Sequence, residues 1–229
     1  MNLNKLLARS VLPALALIAG LSAAPANASV ILDQDSPATG FVFGLGHDDL
    51  EGQTFTVGTA GTLDSIAVHL RTQFPAQAAV PNYNILLTLQ GVTGGLPDGN
   101  ILASAIVPPS ALPAAPATNS AYVSFDLSGF NISVDVGDVF AFVLSGDGTG
   151  TSGGYNVFVS GEGNDIYAGG TTVEETTGGW ITRNSDLAFQ TFVNTGGSTE
   201  PAPVPEPGAI ALLGLGIAGL GIARRRRAA

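Results

Sequence analysis

Cysteine is absent from the 229 residues. Without thiols the chain cannot staple itself with disulfides, hold zinc or an iron–sulfur cluster on thiolates, or attack a substrate through a cysteine. Basic residues are scarce too. Eight lysines and arginines stand against 18 acidic residues, and six of the eight lie near the ends, at Lys5, Arg9 and Arg224 to Arg227. Between Ser29 and Thr199 only Arg71 and Arg183 remain against 16 acidic residues, a net charge of −14. Such a surface repels nucleic acid and anionic lipid, favours solubility outside the cell, and suits divalent cations. Apolar residues at helical spacing are missing from the same region.

What is present is short-range alternation between turn residues. Gln53–Val57, Leu63–Leu70, Tyr83–Gln90, Ile101–Val107, Tyr122–Leu127, Val139–Leu144, Tyr155–Val159 and Leu187–Val193 read as strands. Val139–Leu144 is apolar on both faces, which predicts a central strand. Leu96-Pro97-Asp98-Gly99-Asn100 reads as a turn, and the four prolines of Pro108–Pro116 as an extended loop or edge. About nine to eleven short strands in roughly 170 residues predict an all-β, two-sheet antiparallel sandwich of jelly-roll type spanning residues 29–194. Thr195–Pro203, rich in Gly, Ser, Thr and Pro, reads as a linker.

The two ends read as addresses. Lys5 and Arg9 precede the apolar run Val11–Leu21. Ala26-Asn27-Ala28 has the small-x-small form that signal peptidase cuts, so residues 1–28 are expected to be removed and Ser29 to begin the mature chain. At the other end, Pro205-Glu206-Pro207 precedes an uncharged run of 16 residues, 208–223, and then Arg224, Arg225, Arg226 and Arg227. As a helix that run is about 24 Å long, short for a bilayer core of about 30 Å, so the arginines must snorkel to the headgroups. By the positive-inside rule they stay cytoplasmic and the body lies on the outer side of the inner membrane.

The order Pro205-Glu206-Pro207, apolar run, arginine cluster, over residues 204–229, resembles the PEP-CTERM sorting signal of exported bacterial proteins. The resemblance implies recognition near Pro205–Pro207 by an exosortase, a membrane-embedded cysteine transpeptidase, in a Gram-negative host that makes exopolysaccharide. It also implies a membrane-anchored precursor bound for the cell surface or matrix. The body resembles the choice-of-anchor sandwich domains through Gly52–Val57, Leu63–Ile66, Val134–Phe140 and Ser185–Gln190. That resemblance implies a fold and no activity.

Several local constellations compete for a role. Gly150-Thr151-Ser152-Gly153-Gly154 fits the serine-hydrolase pattern G-x-S-x-G, but His47 and His69 precede Ser152, against the order an α/β-hydrolase needs. Ser160–Gly170 resembles one turn of the calcium-binding nonapeptide repeat. One repeat cannot stack a roll, which leaves a structural turn or a single calcium on Asp165 with Glu162 or Asp147. His47-Asp48-Asp49 reads as a solvated loop and Glu174-Glu175 as a solvated turn, neighbouring carboxylates being too close to flank a glycosidic bond. Trp180 with Tyr167 offers a sugar-stacking platform, or Trp180 is a core anchor beside Gly178-Gly179. The expectation is a non-enzymatic envelope or matrix protein without an obligatory cofactor. Its alternatives are a carbohydrate-binding module and, last, a hydrolase.

Overall fold

The protein is seen in a computed structural model that describes residues 29–73, 81–113, 120–161 and 163–196. The expected signal peptide, the expected linker beyond Gly196, the 208–223 run, the arginine cluster and Glu162 lie outside the described residues. In chain order the strands are β1 (Val30–Ser36), β2 (Val42–Leu45), β3 (Glu51–Thr56), β4 (Gly61–Thr72), β5 (Asn84–Thr93), β6 (Leu96–Val107) and β7 (Ala121–Asp126). They continue as β8 (Ser133–Val134), β9 (Val139–Asp147), β10 (Tyr155–Ser160), β11 (Thr172–Thr176), β12 (Gly179–Thr182), β13 (Asp186–Leu187) and β14 (Phe189–Asn194).

Two antiparallel sheets result, as the alternation predicts. In the first, β1, β14, β4, β10 and β13 lie side by side, β2 adds to β10, and β7 and β8 add to β4. The second runs β12, β11, β3, β9, β5, β6. Strand β9 lies between β3 and β5, the interior place its two apolar faces require. Strand β4 is the hub of its sheet, with β7 and β8 along one side and β14 and then β10 along the other.

The inner faces meet on aromatic rings. Phe55 of β3 and Phe142 of β9 pack against Phe189 of β14 at centroid distances of 6.3 and 5.4 Å, and all three are fully buried. Rings of this size supply much of the apolar area that a domain this small can remove from water.

Three sequence expectations are corrected. The turn between β5 and β6 is Gly94-Gly95, both at positive φ (65° and 83°), the backbone a two-residue hairpin loop demands. Asp98-Gly99 instead forms an irregularity inside β6, between the pairings Val92↔Pro97 and Gln90↔Ile101, where Asp98 Oδ1 accepts from Asn100 N–H at 2.8 Å. Glu174-Glu175 is not a turn but part of β11, because the true turn lies beyond it, before Gly179 at φ +100°. Strands β1, β2, β8, β11 and β12 went unread, and the Pro108–Pro116 loop contains a 3-10 turn at Pro109–Ala111.

The chain enters and leaves at one pole. Val30 pairs with Asn194, and Thr195 N–H donates to Ser29 O at 3.0 Å. The Asp135–Asp138 turn shares that pole, since Val57 N–H donates to Asp138 O and Gly137 N–H to Val57 O, both at 2.8 Å.

Candidate functional site

A polar knot holds the body's long loop. Gln53 lies on the inner face of β3 with Phe55, two residues along. Its amide donates to Asp186 Oδ1 at 3.0 Å and to Thr54 O at 3.1 Å. Its carbonyl oxygen accepts from Thr172 Oγ1 at 3.0 Å and Leu187 N–H at 2.9 Å. Two donor hydrogens and two acceptor positions are therefore all used. Asp186, with no exposed surface, turns its other oxygen to Ile166 N–H and Tyr167 N–H, both at 2.8 Å. Burial pushes its carboxyl up, against the hydrogen bonds from Tyr167, Gln53 and Ile166 that pull it down.

This knot decides the fate of the glycine-rich segment. The loop after β10 is drawn onto the sandwich, and Tyr167 becomes 9% exposed, its ring edge-on to Phe189 at 5.1 Å and its hydroxyl donating to Gln34 Oε1 at 2.8 Å. Burial raises its phenol to about 12. Tyr167 thus has no free face for a sugar, which corrects the stacking platform. Trp180, half-buried on β12 opposite Glu175, is left without that partner. Asp165 is exposed beside Asp186, whereas Asp147 stands beside His47, so these two carboxylates occupy different neighbourhoods. Among the described residues no group of three or more His, Asp or Glu side chains is placed to hold a metal ion.

His47 is a staple. Its Nδ1 lies 2.7 Å from Asp48 Oδ1 and its Nε2 3.1 Å from Gly148 O, and its ring meets Tyr83 edge-on at 5.0 Å. Both partners are acceptors only, which favours the protonated ring, and the Asp48 contact, then that of Gly148, holds the imidazole above its ordinary value. Ser152 is exposed, and its backbone exchanges bonds with Asn82 at 3.0 and 3.2 Å. His69 is enclosed by Tyr122 at 4.8 Å and Phe158 at 4.7 Å, and burial lowers its value.

The arrangement that sequence reading missed lies on the β3–β11 ladder. Glu51 stands directly opposite Glu174, so the two side chains share a face at a Cβ separation of about 5 Å. Glu174 is ion-paired with Arg183, through both Nε and Nη2. Glu51 Oε2 is buried without a hydrogen-bond partner. Burial first, then the charge of Glu174, raises the Glu51 carboxyl to about 7, against the opposing pull of Arg183. This is the candidate functional site of the body: a carboxyl that takes up a proton near neutrality, under the edge hairpin that carries Trp180. The spacing of charges along the sequence could not reveal it, because Glu51 and Glu174 meet only through strand pairing.

Pro205, Glu206, Pro207 and Arg224–Arg227, like Ala26 and Ala28, lie outside the described residues, while Ser29 is exposed at the start of the body. No curated protein matches the chain. Residues 203–227 match the PEP-CTERM protein-sorting motif, which marks an exported protein that is anchored at the membrane for processing and sorted by an exosortase, as in Gram-negative bacteria.

Proposed function

We propose that the chain is a non-catalytic, acidic β-sandwich cargo delivered to the cell surface or extracellular matrix, where it acts as a structural or interaction component linked to exopolysaccharide. The observation that carries this reading is the sorting motif at 203–227, attached to a sandwich in which Gln53, Asp186, His47 and Tyr167 serve its own architecture. Gln53 and Asp186 hold a loop, His47 is bonded through both ring nitrogens, and Tyr167 is packed. Signal peptidase removes the leader after Ala28, the 208–223 run holds the precursor with Arg224–Arg227 on the inner side, and the exosortase acts near Pro205–Pro207. The net charge of −14 between Ser29 and Thr199 favours a hydrated polymer over nucleic acid.

The test is processing in a host that supplies the exosortase. Replacing Pro205, Glu206 and Pro207 by alanine is expected to leave uncleaved precursor in the membrane fraction. An unchanged mature mass would refute the sorting reading. Retention of the mature protein in the polymer fraction, lost on enzymatic removal of the polysaccharide, supports the matrix role. Recovery wholly in the medium refutes that role.

A further inference from the structure

One pole of the sandwich carries a set of exposed apolar side chains. Val30, Ile31, Leu32, Phe130, Val136 and Val139 are all at least 37% exposed, and Val136 reaches 68%. They belong to the start of β1, a 3-10 turn, the Asp135–Asp138 turn and the start of β9. Pairing joins most of these places at one end: Val30 faces Asn194, Gly61 faces Val134, and Thr56 faces Val139. At the opposite pole, among the described residues, the loops around His47 and Ser152 (46–50 and 147–154) contribute no large exposed apolar residue, while Ile106, level with Ser145, is exposed.

The apolar pole is also the exit of the chain. From Gly196 the sequence runs 12 residues to Gly208, where the uncharged segment begins. Fully extended, such a tether spans about 40 Å, and as a flexible coil it averages about 19 Å. Attachment at that reach gives the pole a high effective concentration at the bilayer surface, so a weak contact suffices. Charge narrows the kind of surface. Arg71 and Arg183, the only Lys or Arg residues among those described, lie toward the far end of β4 and after β12, and the pole itself carries Asp33, Asp64, Asp126, Asp135 and Asp138. Asp33, part-buried, accepts from Gly58 N–H and Thr191 Oγ1, and Asp138, exposed, accepts from Asp135 N–H at 2.9 Å. Anionic headgroups are repelled, and apolar insertion into a zwitterionic interface remains.

We propose that this pole is a lipid-contact surface, with Val136 and Phe130 as its leading side chains, that seats the precursor on a zwitterionic bilayer while the tail is attached. The proposal rests on the tail holding the precursor in the membrane. It orients the opposite pole, with His47 and Ser152, away from the membrane.

The test uses the full-length chain reconstituted in phosphatidylcholine vesicles containing brominated lipid. The single native tryptophan is removed by Trp180→Phe, and a reporter is placed by Val136→Trp, by Phe130→Trp, or by Thr151→Trp at the far pole. Flotation with the vesicles checks the tail independently of the contact. The expected result is flotation of all variants, with emission at 136 and 130 quenched about twofold or more over 151 and shifted to the blue. Flotation with equal quenching at the three positions overturns the lipid contact and leaves the tail reading intact. Failure to float overturns both. The second near-pole reporter guards against a local effect of either substitution.

Discussion

Glu51 offers the sharpest test of the physical account. Its carboxyl is raised from 4.5 to about 7, with burial as the first cause and Glu174 as the second. A raised folded-state value means that the native protein binds the proton more tightly than the unfolded chain. The Glu51 contribution is then greatest below pH 4.5, falls as pH rises from 4.5 to about 7, and is flat above. At about 1.4 kcal/mol per pH unit the full penalty is about 3 kcal/mol, and relaxation around a partly exposed pair reduces this to about 1–2 kcal/mol. Glu51→Gln removes the charge and keeps the shape. At pH 8 the variant is expected to be more stable than the parent by about 1–2 kcal/mol, a rise in the urea midpoint of about 0.5–1 M. At about pH 3, well below both values, Glu51 is protonated in both states, and the two proteins should be within about 0.5 kcal/mol. Urea melts followed by Trp180 fluorescence read the effect, because the only tryptophan stands on the hairpin that Glu174 anchors. A variant equally displaced at both pH values, or less stable at pH 8, would refute the argument, since an ordinary contact has no reason to depend on the ionisation of Glu51.

Other expectations use the same structure. Asp186→Asn presents an amide to three donors, those of Gln53, Ile166 and Tyr167, and should cost about 1–3 kcal/mol, with hydrogen exchange accelerating first at residues 163–171. Exchange confined to the global unfolding rate would contradict the loop-holding role. Gly170→Ala places a Cβ 1.9 Å from Thr54 O and should lower the thermal midpoint by several degrees, which calorimetry reads. The His47 contribution is present below its ordinary value near 6.5 and fades as pH rises through the raised folded value, so His47→Gln should narrow the parent's loss of stability above pH 6.5, read from paired melts. Deleting Ala209–Ala229 should release a soluble body into the periplasm, and continued membrane retention would reveal a second anchor.

Strands with clean alternation were legible because one face of each enters the core: Phe55 with Val57, Val123 with Phe125, and Ile66 with Val68 and Leu70 are all buried. Strand β1 was not, because it lies at a sheet edge and leaves Val30, Ile31 and Leu32 exposed, so no core face imprints a pattern. Glu174-Glu175 looked like a solvated turn since two acidic neighbours break any apolar period. In β11 they point to opposite faces, one toward Arg183 and one to solvent. Tyr167 looked available for a ligand because glycines surround it. The buried carboxylate of Asp186, distant in sequence, draws its backbone inward.

The sequence by itself determined the sorting motif, with the export it implies, and the class of fold. An apolar run closed by four arginines, an acidic body without cysteine and a period of two are local properties that survive in the unfolded chain. Tertiary structure alone decided which carboxylates meet, which tyrosine is buried and which pole carries the exit of the chain. Those outcomes depend on register between strands remote in sequence, and a shift of one residue would turn Glu51 away from Glu174 and Gln53 away from Asp186.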